Sequence, residues 1–231
     1  LPTRGSSKST WGAEMLDVNG LTLHYGQSQI LNGIDLSAAQ GQVTCIMGTN
    51  GVGKTSLLKA ISGTHPRSGG TMALDGEDLG RLPAHMLAQK GIGYVPQGRM
   101  IFPLLTVTEN LNFWAAIHGV KDIDPALDAM NLRDLAHRQA QHLSAGQKRR
   151  LGLARLMVTG RWLWVLDEPT VSLDAASVAL FAEVVRAHLS KGGAALLATH
   201  IDLGLPEAQV LDLGPYKAEL LPDLGFDEAF L

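Results

Sequence analysis

Short uninterrupted apolar runs alternate with longer stretches of helical periodicity along much of this chain. The runs at 43–47, 162–166 and 194–198 are typical of strands that are buried on both faces of a parallel sheet. The helical pattern covers residues from about 54 to 61, from 145 to 158 and from about 175 to 189. Strands and helices that follow one another in this order predict an α/β core.

Two regions depart from that core pattern. Residues 15–18 and 21–24 alternate between apolar and polar positions, which predicts antiparallel strands near the start. Residues 106–142 are helical in pattern and offer no strand candidate. The remaining predicted strands are 71–74, 92–95 and 209–213. We therefore expect an N-terminal antiparallel β subdomain, a mostly parallel sheet, and an inserted α-helical subdomain at about 98–158.

Size and charge narrow the class of protein. The 231 residues suffice for one core with a small insert, and 45% hydrophobic with 18% charged residues indicates a globular chain. The formal net charge is -3, and Lys148–Arg150 is the densest basic run, so we expect no nucleic acid as a partner. The apolar runs are far too short to cross a bilayer, so any membrane role requires a partner.

The single cysteine and the chain ends add little chemistry. Cys45 lies inside an apolar run, which excludes a disulfide framework and predicts a small buried strand residue. No secretion signal is visible, and a reducing cytoplasm fits. Residues 1–13, rich in Ser, Thr and Gly, are expected to be a disordered leader, and residues 14–231 are expected to form a single domain.

The segment Gly48–Thr55 matches the pattern G-x-x-x-x-G-K-[ST] between a predicted strand and a predicted helix. Its glycines let consecutive backbone N–H groups point at a phosphate, and the helix adds the positive end of its dipole. Lys54 can reach the β- and γ-phosphates, and the Thr55 hydroxyl can coordinate Mg²⁺. The residues predicted to bind the nucleotide here are Gly48, Asn50, Gly51, Gly53, Lys54, Thr55 and Ser56. This segment predicts ATP and Mg²⁺ as ligands in a P-loop NTPase core.

Two acids follow the apolar run at 162–166. Asp167 is placed at the carboxyl end of a central strand, where ligands bind in open α/β sheets, and is predicted to hold Mg²⁺. Glu168 comes next, and is the candidate for polarising the attacking water. The alternative is an acid pair that merely caps a helix. Pro169 and the matching Gly-rich loop argue against that alternative.

The sequence Leu143–Gln147, LSAGQ, opens the helix that precedes the acidic strand. Ser144 is a good N-cap, and the small residues after it let a phosphate approach the helix N-terminus. The residues predicted to bind nucleotide here are Ser144, Gly146 and Gln147. One chain already has a phosphate site in its Gly-rich loop, so a second site implies a second subunit. The alternative is an ordinary Ser-capped helix.

These three motifs, in this order, resemble those of the ATP-binding subunits of ABC transporters over roughly residues 15–213. The resemblance implies hydrolysis of ATP to ADP and phosphate, and a head-to-tail homodimer with ATP at its interface. It also implies integral membrane permease subunits as partners and a peripheral position at the cytoplasmic face of the inner membrane.

Four further roles are implied by the resemblance. Gln97 resembles the glutamine that contacts Mg²⁺ or water and assists catalysis, and His200 resembles the histidine that touches the γ-phosphate. Asp174 lies in a segment that resembles the loop crossing the dimer interface, and Tyr25 resembles the aromatic residue that stacks on adenine. From the residues alone, a solvated glutamine, a structural histidine and a packing tyrosine are also possible.

The two halves resemble different subfamilies. Residues from about 16 to 105 resemble ATPases of branched-chain amino acid and urea importers. Residues from about 106 onward resemble the haem-exporter ATPase of cytochrome c biogenesis, and Ala145 fits that group. The importer-like stretches are 43–45, 50–55 and 93–99, and the exporter-like stretches are 109–116, 143–155, 162–174 and 226–231. This predicts a hybrid with a seam near 105–111 and leaves its coupling to a permease open.

Several functions therefore stand side by side. Haem export for cytochrome c biogenesis leads, because the exporter-like half includes the helical insert and LSAGQ, and amino acid or urea import is second. A soluble ABC ATPase acting on nucleic acid or ribosomes belongs to another class, which usually has paired ATPase domains or long coiled-coil arms. This chain has one motif set and no heptads. The last alternative is a hybrid that binds ATP and couples to nothing.

Overall fold

The computed structural model describes residues 14–98, 101–200 and 203–217. The strands are β1 Glu14–Tyr25, β2 Ser28–Ala39, β3 Val43–Met47, β4 Gly69–Leu74, β5 Glu77–Asp78, β6 Ile92–Val95, β7 Leu163–Asp167, β8 Ala194–Ala198 and β9 Gln209–Asp212. The helices are α1 Lys54–Ile61, α2 Ala84–Gln89, α3 Val107–Ile117, α4 Asp124–Ala129, α5 Ala145–Met157 and α6 Ala175–Ser190. Short 3₁₀ turns lie at Arg133–Leu135, Ala140–His142 and Gly214–Tyr216.

A five-stranded parallel sheet in the order β6-β7-β8-β3-β9 forms the centre of the molecule. Every residue of β7 and β8 is buried, which explains their continuous apolar sequence. Alternate residues face two different cores: Cys45 belongs to the core under the inserted helices, and Ile46 to the core under α1 and the antiparallel sheet. The predicted α/β class with a parallel core is confirmed.

A four-stranded antiparallel sheet, β2-β1-β4-β5, covers one side of this core. The prediction of two short strands at 15–18 and 21–24 was wrong, because both belong to the single strand β1. Asn19 and Gly20 break the apolar alternation, but the chain absorbs them as an irregularity in the pairing, with Gly20 at φ 60°. The partner strand β2 was not predicted, although its residues alternate between buried and exposed from 34 to 38.

The inserted region folds as helices, as expected. Helices α3 and α4 and two 3₁₀ turns fill 106–142, where the only pairing seen among the described residues is an isolated bridge between Thr106 and Gln139. Helix α5 then returns the chain to β7. Two small elements, α2 and β5, were not predicted. The boundaries of the helical subdomain, about 98–158, stay a prediction.

The leader predicted at 1–13 and the exporter-like stretch at 226–231 lie outside the described residues. Within the described ranges, no helix is both long enough and apolar enough to cross a membrane.

Candidate functional site

The Gly-rich loop leaves β3 and enters α1 at the carboxyl edge of the parallel sheet. Gly48 and Gly53 have φ values of 141° and 107°, which favour glycine. A Cβ at Gly48 would come within 2.8 Å of Val52 Cγ1, and one at Gly53 would meet the Leu31 side chain from β2. The N-cap of α1 makes no side-chain hydrogen bond, so its first-turn N–H groups are available to an anion.

Lys54 lies inside this loop and is only 6% exposed. Its Nζ donates to the carbonyl oxygens of Gly48 at 2.8 Å and of Thr49 at 3.3 Å, and lies 4.0 Å from Glu168 Oε1. The loop therefore holds one positive charge where phosphates would sit. Asn50 and Gly51 are exposed at the tip of the loop, and Ser56 is buried in α1.

Thr55 and Asp167 meet across the interface between α1 and β7. Thr55 Oγ1 donates to Asp167 Oδ1 at 3.1 Å. The other oxygen, Asp167 Oδ2, is buried and has no hydrogen-bond partner among the described residues. Burial raises the pKa of Asp167, and the nearby Glu168 carboxylate adds to this, while the Thr55 hydrogen bond opposes it.

A hydroxyl beside a carboxylate with one unpaired buried oxygen fits Mg²⁺, which prefers oxygen ligands. In the described part of the chain, no group of three or more His, Cys, Asp or Glu residues could hold a metal ion. Thr55 and Asp167 would thus supply two ligands, and phosphate and water oxygens the rest, as is usual for Mg²⁺ in nucleotide sites.

Glu168 begins where β7 ends. Its backbone has φ 47°, in the left-handed region, and its N–H donates to the carbonyl oxygen of Ala198 at 2.9 Å. Its Oε2 lies 2.9 Å from Nδ1 of His200, which follows β8, the neighbouring strand. The Glu168 side chain is 10% exposed, whereas that of His200 is 54% exposed. The structure therefore brings Lys54, Glu168 and His200 together at the carboxyl edge of the parallel sheet. Glu168 follows β7, His200 follows β8, and Lys54 lies at the end of the Gly-rich loop.

Ser144 and Gln147 form a capping box at the start of α5. The N–H of Gln147 donates to Ser144 Oγ at 3.2 Å, and the N–H of Ser144 donates to Gln147 Oε1 at 2.8 Å. The carbonyl oxygen of Ser172 would lie 3.0 Å from a Cβ at Gly146, so the loop before α6 packs closely on this helix end. Ser144 itself is exposed.

Asp174 caps α6. Its Oδ1 accepts from the N–H of Ser177 at 2.8 Å, and hydrogen bonds to Ser177 lower the pKa of Asp174. The carboxylate thus has a local structural role, and the predicted role at a dimer interface stays a prediction.

The structure does not bring Gln97 or Tyr25 into contact with these groups. The Gln97 side chain is exposed just beyond β6. Tyr25 is 41% exposed at the tip of the β1-β2 hairpin, and its ring lies edge-on to His65 with centroids 4.3 Å apart. Their roles toward Mg²⁺ and adenine stay predictions.

Arg149 is the site residue that sequence reasoning missed. It is 2% exposed, and its guanidinium donates to the carbonyl oxygens of Asp167, Glu168 and Pro169. In the sequence, Arg149 stands out only as part of the basic run Lys148–Arg150. Its spacing of four residues from the buried Leu153 was the available signal, since that spacing places Arg149 on the buried face of α5.

A family model described as ABC transporter matches residues 31–171 of this chain. The cytochrome c biogenesis ATP-binding export protein CcmA of Rhodobacter capsulatus is 52% identical, and the alignment covers 94% of this chain and 99% of that protein. The protein of the same name from Paracoccus denitrificans is 51% identical with the same coverage.

Among solved structures, this chain is similar to a putative ABC transporter ATP-binding protein from Pyrococcus furiosus. The two share 26% sequence identity with a TM-score of 0.76, and the match covers 88% of this chain and 99% of the other. The fold therefore agrees with that of an ABC ATPase.

The comparisons do not support the hybrid hypothesis. The two export proteins align along nearly the whole chain, on both sides of the seam expected near 105–111. The importer-like stretches before the seam consist largely of the phosphate loop and the strand at 92–95. The residues of that loop and strand are constrained by ATP binding and by burial in the parallel sheet. Similarity in these stretches therefore does not indicate a separate origin for this half of the chain.

Proposed function

This chain belongs to the ABC transporter family, and from that premise we propose that it is the ATP-hydrolysing subunit of an exporter that serves cytochrome c biogenesis. An ABC ATPase converts ATP and water to ADP and phosphate and couples this reaction to transport through membrane permease subunits. One observation supports the assignment within the family, namely the full-length similarity to export proteins at about half identity.

ATP binding uses the Gly-rich loop. The Lys54 ammonium, which now bonds to the carbonyl oxygens of Gly48 and Thr49, exchanges these neutral acceptors for β- and γ-phosphate oxygens. The exchange is favourable because a charged acceptor forms a stronger hydrogen bond with an ammonium than a carbonyl does. The uncapped N-terminus of α1 supplies further donors. Tyr25, exposed at its hairpin, is available to stack on adenine.

Thr55 and Asp167 would hold Mg²⁺, and we propose Gln97 as a further ligand or water contact. When bound, Mg²⁺ neutralises charge on the β- and γ-phosphates. Because burial raises the pKa of Asp167, a cation at its unpaired oxygen would favour the ionised form of the carboxylate.

Glu168 is the group we propose to accept the proton of the attacking water. Its carboxylate is nearly buried between Lys54 and His200, so its orientation is constrained from both sides. His200 is half exposed beside Glu168, and we propose that it also bonds the γ-phosphate of a bound nucleotide. Glu168 therefore orients the water and removes its proton, while His200 fixes the carboxylate.

The LSAGQ helix end is exposed, and the Gly-rich loop of the same chain already supplies one phosphate site. We propose that Ser144, Gly146 and Gln147 bind the γ-phosphate of ATP held by the loop of a second copy, with Asp174 near the contact. Two copies arranged head to tail then enclose two ATP molecules at their interface.

Permease and cargo follow from the relatives and from the sequence resemblance. We propose that the dimer binds integral membrane permease subunits at the cytoplasmic face of the inner membrane, and that the exported molecule is haem. The permease subunits, rather than the ATPase, bind the transported molecule. None of the residues above is therefore expected to contact it.

The proposal is tested with Lys54→Ala in a strain that lacks the natural chain. We expect c-type cytochromes, detected by haem staining, to be lost, because the variant lacks the charge that binds the phosphates. Lys90→Ala, which removes an exposed lysine paired with Glu77, is the matched control and should support normal levels. Normal cytochromes with Lys54→Ala would contradict the proposed function.

A further inference from the structure

A buried arginine connects the LSAGQ helix to the hydrolytic end of the parallel sheet. Arg149 Nε donates to the carbonyl oxygen of Pro169 at 2.8 Å, and Nη2 donates to those of Glu168 at 2.6 Å and Asp167 at 3.1 Å. Nη1 lies 3.3 Å from the carbonyl oxygen of Gln97. All three guanidinium nitrogens are therefore used, and every one of these bonds goes to the backbone.

These contacts join parts of the molecule that are far apart in sequence. Arg149 lies one turn into α5, the helix whose exposed N-terminus begins after Ser144. Its bonding partners lie at and just after the end of β7, and at Gln97 just after β6. Movement of the helix relative to the sheet must either break these bonds or carry the Asp167–Pro169 turn with it.

Glu168 is the residue most affected by such a link. Its left-handed backbone is unfavourable for a residue with a side chain and persists only where its surroundings fix it. Two bonds to other elements do so here: its N–H donates to Ala198, and its carbonyl accepts from Arg149, while the nearby Val171 N–H also donates to that carbonyl. The first ties Glu168 to β8, and the second ties it to α5.

We propose that Arg149 is a positioning residue that couples the two ATP sites of the dimer. This inference rests on the proposed head-to-tail arrangement. When Ser144 of one subunit engages ATP held by the partner, Arg149 transmits the position of α5 to Glu168. The Glu168 carboxylate of that same subunit is then oriented toward the ATP bound in its own Gly-rich loop.

The chemistry of the side chain explains why arginine serves here. A planar guanidinium presents donors in a fixed fork that spans several carbonyl oxygens at once, whereas a lysine ammonium is a point donor on a flexible stem. Arg149→Lys keeps the charge and loses the fork. Arg150→Lys is the matched control, because Arg150 lies next on the same helix and donates to the carbonyl oxygens of Met130 and Asn131 instead.

The test measures MgATP affinity and steady-state hydrolysis of the purified full chain. For Arg149→Lys we expect an affinity within about twofold of wild type, a kcat lowered by about tenfold or more, and a Hill coefficient for ATP reduced toward 1. Arg150→Lys should change none of these. Unchanged kcat and Hill coefficient in Arg149→Lys would overturn the inference.

A second measurement separates positioning from general loss of structure. If Arg149 acts through Glu168, then Arg149→Lys should not slow single-turnover hydrolysis further in a Glu168→Gln background. An equal fold-loss in both backgrounds would overturn the inference, as would loss of the folded state in both Arg149→Lys and Arg149→Gln. Wild-type chain that binds ATP without hydrolysing it would instead contradict the proposed function, so the two failures are distinguishable.

Discussion

Glu168 combines three properties that suit a general base: a nearly buried carboxylate, a cation within 4.0 Å, and a histidine within hydrogen-bond distance. Its left-handed backbone directs the chain out of β7 and sends Asp167 and Glu168 to different neighbours. Asp167 faces Thr55, and Glu168 faces Lys54 and His200. Adjacent acids can thus take separate roles, one toward Mg²⁺ and one toward water.

We predict that Glu168→Gln retains ATP and loses most hydrolysis. The amide keeps the shape and the hydrogen bonds but cannot accept a proton. Trapped MgATP should hold two copies together, giving a dimer on gel filtration that disappears without nucleotide. Glu183→Gln, an exposed surface change, should behave as wild type. Wild-type turnover in Glu168→Gln would show that another group is the base.

At the scale of single residues, much of the candidate site was predictable. Asp167, Glu168 and His200 each come at the end of an apolar run, and the carboxyl ends of parallel strands lie at the same edge of a sheet. The bond between His200 and Glu168 was not predictable, since it depends on side-chain directions across two strands. Arg149 was missed because a charged residue on a helix is usually solvated, and only its helical phase marks it as buried.

Helices α3 and α5 each begin with a capping box. In α3 the N–H of Glu109 donates to Thr106 Oγ1 at 3.2 Å, and the N–H of Thr106 donates to Glu109 Oε2 at 2.7 Å. The same device at Ser144 starts α5, the helix that we propose contributes the second phosphate site. The capping box also occurs at α3, which contributes none of the candidate site residues. The capping box alone therefore indicates a helix start and not a phosphate site.

We predict that Thr106→Ala lowers the free energy of unfolding by about 1 kcal/mol, because α3 loses its N-cap acceptor. ATP affinity should not change. Thr108→Ala in the same helix is the control, and should cost less, since Thr106 is the residue that caps. Denaturant midpoints of the three proteins give the comparison. Equal midpoints for Thr106→Ala and wild type would refute the role of the cap.

A stacked pair joins α6 to the sheet. The rings of His188 and Trp164 are 3.7 Å apart with an interplanar angle of 6°. Burial lowers the pKa of His188, so the folded state favours the neutral ring. The free energy of unfolding is therefore highest above about pH 6.5, the pKa of histidine in the unfolded chain. It falls as the pH decreases from there toward the lower pKa of His188 in the folded chain.

We predict that His188→Phe, which cannot be protonated, loses less stability than wild type when the pH falls from about 7.5 to about 5.5. Only the pH-dependent difference is compared, because phenylalanine also removes the Nε2 hydrogen bond to the carbonyl oxygen of Trp162. The exposed His137→Phe variant should retain the wild-type difference. An unchanged difference in His188→Phe would exclude His188 as its source.

Element boundaries were predictable where the sequence marks them. The strands β3 and β8 and helix α1 agree with prediction to the residue, because continuous apolar runs mark the two strands and the Gly-rich loop marks the start of the helix. Helix α2 was missed because it has six residues, of which only Leu87 is buried, and so shows no apolar stripe. The two residues of β5 are both exposed and give no pattern either.

At the scale of the whole molecule, the two helix ends that we propose to bind phosphate belong to different parts of the fold. α1 begins at the carboxyl edge of the parallel sheet, and α5 begins within the helical insert with Ser144 exposed. The parallel sheet, which has a hydrophobic core on each face, supports the start of α1. We propose that these two ends act on one ATP from opposite subunits.

That claim is tested by ATP hydrolysis in heterodimers isolated with two affinity tags. Lys54→Ala paired with Ser144→Arg leaves one intact site and one doubly damaged site if the sites are shared, and no intact site if each subunit builds its own. The reverse control pairs wild type with the double variant, which leaves no intact site if the sites are shared and one if they are not. We predict hydrolysis in the first heterodimer and none in the second. Hydrolysis only in the second would contradict the head-to-tail arrangement.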